Sequence, residues 1–265
     1  VDGVVQEPSV AYAVSSGTTL TFTAAPSSNS GNNIFVYYLA SQVGTVGHPA
    51  AQNLSAGTGT FTGDVTIGDA SAADKKILFD GNAQDFHIGL DDSIDSLTIG
   101  KGSALGTTTS MVIDANGIVT KPLQPAFLVH NTSANQSNFA LDSWVTIVFG
   151  SERFDVGANF SKSGGLANAF TAPVTGKYQI NTAIYLLALD SAATYYQFRI
   201  NASNVSQIYA TIDPNYASDL TYYFMNTSSL IDMDAGDTVK LEIFQAGGTQ
   251  QTDITTSWFS GYLVA

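Results

Sequence analysis

FTAPVTGKYQI, residues 170–180, reads as the end of one strand, a turn over Pro173–Gly176 and the start of a longer strand. Pro presets the first torsion of such a turn, and Gly tolerates its special backbone. The longer strand runs to residue 188 with its side chains alternating between two faces. Ile180, Ile184 and Leu186 share one face, and Tyr185 and Leu187 share the other. Similar runs flank it. Strands are expected near 125–130, 144–149, 168–172, 195–200, 205–212, 220–230, 238–245 and 257–264. A spacing of about ten residues, with turn signals between, is the pattern of a β-sandwich.

The rest of the chain agrees with an all-β reading. Thr, Ser, Ala, Gly, Asn, Val and Ile dominate, and no stretch of helical periodicity stands out. Of 265 residues only 12% are charged, about half the usual share. Nine Lys and Arg against twenty-two Asp and Glu give a net charge of −13, which excludes the electrostatic footprint of a nucleic-acid binder. The absence of cysteine excludes disulfide frameworks and Cys-based metal sites. A hydrophobic content of 44% can bury a core, and no apolar run has the length of a membrane-spanning helix. The start at Val1 without Met reads as a fragment or a processed product.

Four regions differ in texture. Residues 1–40 read as a small β module, with strands in VAYAVSS and TTLTF and a third, IFVYYLA. Residues 41–64 read as a Gly-, Ser- and Thr-rich linker. Residues 65–122 read as a thin β shaft of short strands, with Asp80-Gly81 and Asn116-Gly117 as tight-turn dipeptides. Those strands carry too few apolar residues for an independent core, so a shaft shared between chains is expected. Residues 123–265 are the sandwich.

The last region resembles the C1q-like domain, a ten-stranded jelly roll of the C1q/tumour-necrosis-factor type. PAFLVH at 125–130 is similar to its opening strand. Phe170, Pro173, Gly176 and Tyr178 stand in the family's most recognisable run. MDAGDTVKLEI at 233–243 resembles its hairpin through Gly236, Asp237 and Val239, and WFSGYLVA at 258–265 its closing strand through Phe259, Gly261 and Leu263. No collagen Gly-X-Y tract precedes the domain in this sequence. The upstream regions resemble the β modules and short-strand shafts of tailed-bacteriophage tail fibres, through VVQEPSVAYAVSSGTTLTFTAAPSSNSGNNIFVYYLA and DFHIGLDDSIDSLTIGKG. The resemblance implies a homotrimer, a place in the virion and hence outside the cell, other virion proteins as partners upstream, and attachment of the head to a host receptor.

Strand faces independently favour an oligomer. A sandwich in water is polar on its outer face, yet several strands here are apolar on both. A closed ring of copies would cover the second face. Tyr185, Tyr195, Trp258 and Tyr262 are the expected interface residues.

Chemistry is harder to find. His48, His87 and His130 lie in three different regions and read as surface or packing residues. GSALG at 102–106 and GTGTFTG at 57–63 read as linker, without the Lys of a phosphate loop. Asp91, Asp92 and Asp95 sit in a turn. Asp232, Asp234 and Asp237 read as a hairpin turn rather than a metal site, with calcium left open. No catalytic residue, no metal ligand and no cofactor is expected, nor membrane insertion.

Strand alternation sorts the loops. With the shaft entering at the base and the last strand returning there, as the C1q-like resemblance implies, 189–194, 213–219 and 246–256 lie at the far end. Asp190, Thr194, Asp213, Asn215, Tyr216, Asp219, Thr249, Gln250, Gln251 and Asp253 are the expected receptor contacts. Their amides, hydroxyls and carboxylates suit sugar hydroxyls, and Tyr216 offers a stacking surface. The expected function is non-catalytic host attachment. A purely structural capsid or tail decoration and a polysaccharide depolymerase remain alternatives.

Overall fold

The computed structural model describes residues 5–7, 9–16, 19–25, 34, 57–131, 135–165 and 167–265. All but Ile34 of the expected strand at 34–40, most of 41–64 and His48 lie outside the described residues. Two compact units divide the chain, Val1–Asp64 and Val65–Ala265. In the first, β1 (Tyr12–Ser16) pairs antiparallel with β2 (Thr19–Phe22), and Tyr12 sits opposite Phe22 with ring centroids 6.3 Å apart.

The second unit opens with a five-stranded antiparallel meander. Its strands are β3 (Lys75–Phe79), β4 (Phe86–Asp91), β5 (Ser96–Lys101), β6 (Thr109–Ile113) and β7 (Val119–Thr120), in that order. Side chains build the turns. Asp91 Oδ1 accepts the backbone N–H of Ser93 at 3.1 Å and its hydroxyl at 2.6 Å. Asp114 Oδ1 accepts the N–H groups of Asn116 and Ile118, and Gly117 takes φ 78°. Asp80-Gly81 departs from expectation. It opens a longer loop over 80–85 rather than a two-residue turn, and Gly81 is outside the left-handed region. Glycine is needed there because a Cβ would stand 2.4 Å from the Gln84 carbonyl oxygen.

This sheet is inverted relative to a soluble sheet. Its buried face carries His87, Asp91, Ser96 and Thr98 with Gly89 and Gly100, while Ile77, Phe79, Phe86, Leu90 and Leu97 are exposed. GSALG, expected as linker, covers the polar face instead: the 102–108 loop folds over it. His87 Nδ1 donates to the Gly102 carbonyl at 2.8 Å. A Cβ on Gly100 would lie 2.7 Å from His87 Nε2, so glycine lets the ring lie flat on the strand.

Two facing sheets follow. The first runs β10 (Ser151–Val156), β8 (Ala126–Asn131), β18 (Asp253–Leu263), β13 (Gly176–Leu189) and β16 (Leu220–Met233). The second runs β11 (Phe160–Ser161), β12 (Ala169–Thr171), β17 (Thr238–Ala246), β14 (Tyr195–Ala202) and β15 (Ser206–Ile212), with β9 (Val145–Thr146) also on β17. The described residues are all-β, without helices. The strand expected over 144–149 shrinks to β9, and β10 and β11 were not expected. SERFDV, which forms β10, is an edge strand with a charged sequence, so its pairing is not legible as alternation.

Alternation places Tyr178, Ile180, Ile184 and Leu186 of β13 inside, against Tyr196, Phe198 and Ile200 of β14 and Leu241 and Ile243 of β17. At the centre Phe127 stacks on Phe170 at 4.5 Å and meets Phe259 edge-on at 4.9 Å. Each fully buried ring contributes about 2–3 kcal/mol by burial alone.

Candidate functional site

The loops at the two ends of the sandwich are tied by hydrogen bonds. At one end, the chain enters at Pro125, whose carbonyl accepts the Leu263 N–H at 3.0 Å. The 172–176, 202–205 and 233–238 turns meet at this end too, through Gly236 N–H to Ala172 O (2.8 Å) and Ser203 Oγ–H to Asp237 (2.6 Å). Asp237 also accepts the Asp234 N–H at 2.9 Å, and Gly236 takes φ 95°. The Asp232–Asp237 hairpin is therefore built as a capped turn. Among the described residues no three His, Cys, Asp or Glu side chains gather as a metal site.

The opposite end joins the three loops expected there. Asp219 Oδ1 accepts the N–H and hydroxyl of Ser191 at 2.8 and 2.6 Å, and its Oδ2 accepts Gln250 Nε2–H at 3.0 Å. Asp190 is the centre. Its carboxylate accepts the N–H groups of Ala192 (2.8 Å), Thr249 (2.5 Å) and Gln250 (2.8 Å). Burial pushes its carboxyl upward, but these donors outweigh it and hold it below the ordinary 3.8. Gly248 takes φ 118°, and a Cβ there would stand 2.4 Å from Asp190 Oδ2.

Asp190 thus corrects the sequence reading: it is fully buried, so it locks the loops together instead of offering a contact. Asp253 is half-buried and accepts the Asn138 N–H at 2.7 Å, which makes it a tie as well. Gln250 is half-buried between Asp190 and Asp219. Thr194, Asp213, Asn215, Tyr216, Thr249 and Gln251 are exposed at this end, Asp219 with them. Sequence reasoning missed buried Gln245, which donates to the Gln250 carbonyl at 2.8 Å and accepts the Thr252 N–H at 3.1 Å. It also missed segment 136–142, which reaches this end through Asp142, acceptor of the Gly247 N–H at 2.9 Å. Neither carried a local motif.

Of the four expected interface residues, three share a face. Tyr185, Trp258 and Tyr262 point outward from the β10–β8–β18–β13–β16 sheet, with Phe154, Tyr222, Phe224 and Leu230, which were not anticipated. Tyr185 packs on Phe224 at 4.6 Å, and Trp258 on His130 at 5.0 Å. Tyr195 is a correction. It belongs to β14 and points outward from the other sheet, stacked 6.0 Å from Phe244.

That second outward face holds a charge network. Buried Glu242 accepts from Arg199 Nε at 2.6 Å, Lys240 Nζ at 2.8 Å and Asn201 Nδ2 at 3.0 Å. Arg199 lies 4.0 Å over the Trp144 ring. Burial pushes Glu242 upward, but Lys240 and Arg199 outweigh it and hold its carboxyl below the ordinary 4.5. With the folded pKa depressed, its stabilisation is present above the ordinary value and is lost as pH falls through the folded one. Glu242→Gln is expected to cost about 2 kcal/mol near neutral pH. Urea unfolding near neutral pH and near pH 3 checks this, with the gap to the parent protein narrowing at about pH 3. An equal gap at both would remove Glu242 from the acid response.

The C1q domain family model matches residues 126–264, the span of both sheets. This chain belongs to the C1q domain family. Among solved structures, it is similar to the globular domain of zebrafish complement 1qA protein (17% identity, TM-score 0.39, covering 54% of this chain and 98% of that one). It is also similar to Eiger TNF from S. frugiperda (13%, TM-score 0.39, 54% and 94%) and to PRD1 vertex protein P5 (16%, TM-score 0.39, 54% and 99%). No curated protein matches the sequence.

The C1q motifs have physical roles here. Gly261 faces the core from β18, where a Cβ would stand 2.8 Å from Ile180 Cδ1 and Phe127 Cε1. Gly176 gives room to the C-terminus, since a Cβ would lie 2.5 Å from the Ala265 carbonyl. Tyr178 spans the core and donates its hydroxyl to the Val174 carbonyl at 2.8 Å, fixing the 173–176 turn. Among the described residues no helix is long and apolar enough to cross a membrane.

Proposed function

We propose that three copies of this chain assemble through their C1q domains, and that the far-end loops of the assembled head attach a virion fibre to a receptor on the host surface. The receptor class is a glycan or an outer-membrane protein, and no reaction is involved. The observation that carries the reading is the Asp190–Gln250–Asp219 lock. It ties three polar loops into one surface at the end opposite chain entry. Thr194, Asp213, Asn215, Tyr216, Thr249 and Gln251 remain free to meet a ligand on it.

Domains of the C1q/TNF type commonly form trimers. The outward face of the first head sheet favours one here, because Tyr222, Phe224, Leu230 and Tyr262 are exposed on it. A trimer presents three loop sets together, and several weak contacts to one surface become firm by effective concentration. Asp190 and Asp219 are the two carboxylates that Gln250 bridges at this end. Asp190 is sealed and held ionised, which makes it a poor proton donor for glycoside hydrolysis.

The test is binding of fluorescently labelled full chain to host cells. Tyr216→Ala with Asn215→Ala is expected to lower bound protein about tenfold or more while mass in solution stays trimeric. Unchanged binding by an intact trimer would return the head to a structural decoration. A monomeric parent protein would overturn the assembly.

A further inference from the structure

The inverted sheet β3–β7 carries a second apolar surface that the C1q domain does not explain. Cross-strand pairing aligns it in rows. Ile77, Ile88, Ile99 and Met111 form one row, and Lys75, Leu90, Leu97, Ile113 and Val119 the next, with the Lys75 ammonium turned to Asp69 at 3.0 Å. Phe79 and Phe86 form a third that ends on Lys101, and the two rings are 55% and 52% exposed. Ile77, Leu90, Leu97, Ile99 and Val119 of these rows are exposed among the described residues, and Ile88, Met111 and Ile113 are half-buried. The opposite face is already closed by the 102–108 loop over His87 and Thr98, so the sheet cannot be satisfied by burying that side instead.

The surface is continuous with the head. Val119, at the edge of the second row, lines one groove with Lys121, Pro122, Gln124, Pro125, Val156 and Tyr262. Tyr262 stands on the outward face of the head sheet, the face assigned above to neighbouring copies. A surface of mostly apolar side chains, interrupted by Lys121 and Gln124, therefore runs from the head sheet onto the β3–β7 sheet. Strands five residues long and about 4.8 Å apart give the lower part an area on the order of 300 Å² per chain. That is below what a stable pair of proteins needs alone, but it suits the extension of a larger interface.

We propose that the Ile77–Met111 face of β3–β7 is closed by the same face of two further copies of this chain, so that the shaft acquires its hydrophobic interior only on assembly. The proposal rests on the trimeric reading of the head and adds to it. Each chain seals its polar face within itself and leaves its apolar face for its neighbours. The like faces meet around the axis, and the shaft then carries part of the assembly energy.

The absence of cysteine makes a direct test possible. Ile99→Cys places one thiol on the face, Leu97→Cys is a second position beside it, and Ala104→Cys is an exposed control on the covering loop. In full-length trimer, a short bis-maleimide is expected to link chains through Ile99→Cys and Leu97→Cys but not through Ala104→Cys. Mono-maleimide labelling at the two face positions is expected to be at least about tenfold slower than at the control. A trimer in which both face positions label as fast as Ala104→Cys, without cross-links, overturns the shaft proposal and leaves the head reading intact. A monomer with fast labelling overturns both. A monomer with protected thiols also overturns it, because the chain's own N-terminal unit would then be the cover.

Discussion

Asp190→Ala is expected to lower stability by about 4 kcal/mol and to drop the melting temperature by roughly 10 °C. The carboxylate accepts the N–H groups of Ala192, Thr249 and Gln250 in a fully buried site. Alanine leaves those three part-buried donors without their acceptor, at about 1 kcal/mol or somewhat more each. The loss is local as well as global: the 247–252 segment should gain hydrogen exchange before the rest of the domain opens. Asp190→Asn keeps the shape but turns an amide N–H toward one of the donors, so about half the loss is expected. The acid response follows the sign for a depressed carboxyl. The stabilisation is whole above the ordinary 3.8 and fades as pH falls through the lower folded value. Urea unfolding near neutral pH measures the effect, and a change under about 1 kcal/mol would show that the loops hold without the carboxylate.

Phe259→Ala should cost about 4 kcal/mol for a different reason. Its ring is fully buried and meets Phe127 at 4.9 Å, Phe149 at 5.6 Å and Phe160 at 6.0 Å. Truncation leaves a cavity among rings that β-strands hold in place and that cannot collapse to fill it. Phe259→Leu should cost about 1.5 kcal/mol. Its neighbours Trp258 and Ser260 point to the other side of the sheet, so neither substitution should change mass in solution while the domain is folded. Loss of the trimer by Phe259→Leu at full domain stability would mean that the two faces of β18 are coupled.

The two predictions mark where sequence and structure part. Phe259 was legible because strand alternation has a period of two, and Phe259, Gly261 and Leu263 fall on one parity. Asp190 was legible only as a polar residue in a far-end loop. Its burial depends on Thr249 and Gln250, whose N–H groups converge on it from far along the chain. Tyr185 and Tyr195 looked alike as aromatics on strands with two apolar faces. They separate because β13 and β14 lie in different sheets, and sheet membership is set by long-range pairing. SERFDV was silent because an edge strand with charged residues needs no alternation.

By itself, the sequence determined the β class and its core parity, which follow from local alternation and turn residues, while the C1q domain and the loops that share an end followed from the family motifs it resembles. Tertiary structure alone decided which polar residues are sealed and which are free, which aromatics share a face, and that the 65–122 region turns its apolar side outward. Burial is a property of what lands on a residue. For Asp190 that is a loop nearly sixty residues away, and for Ile99 we assign it to another copy of the chain.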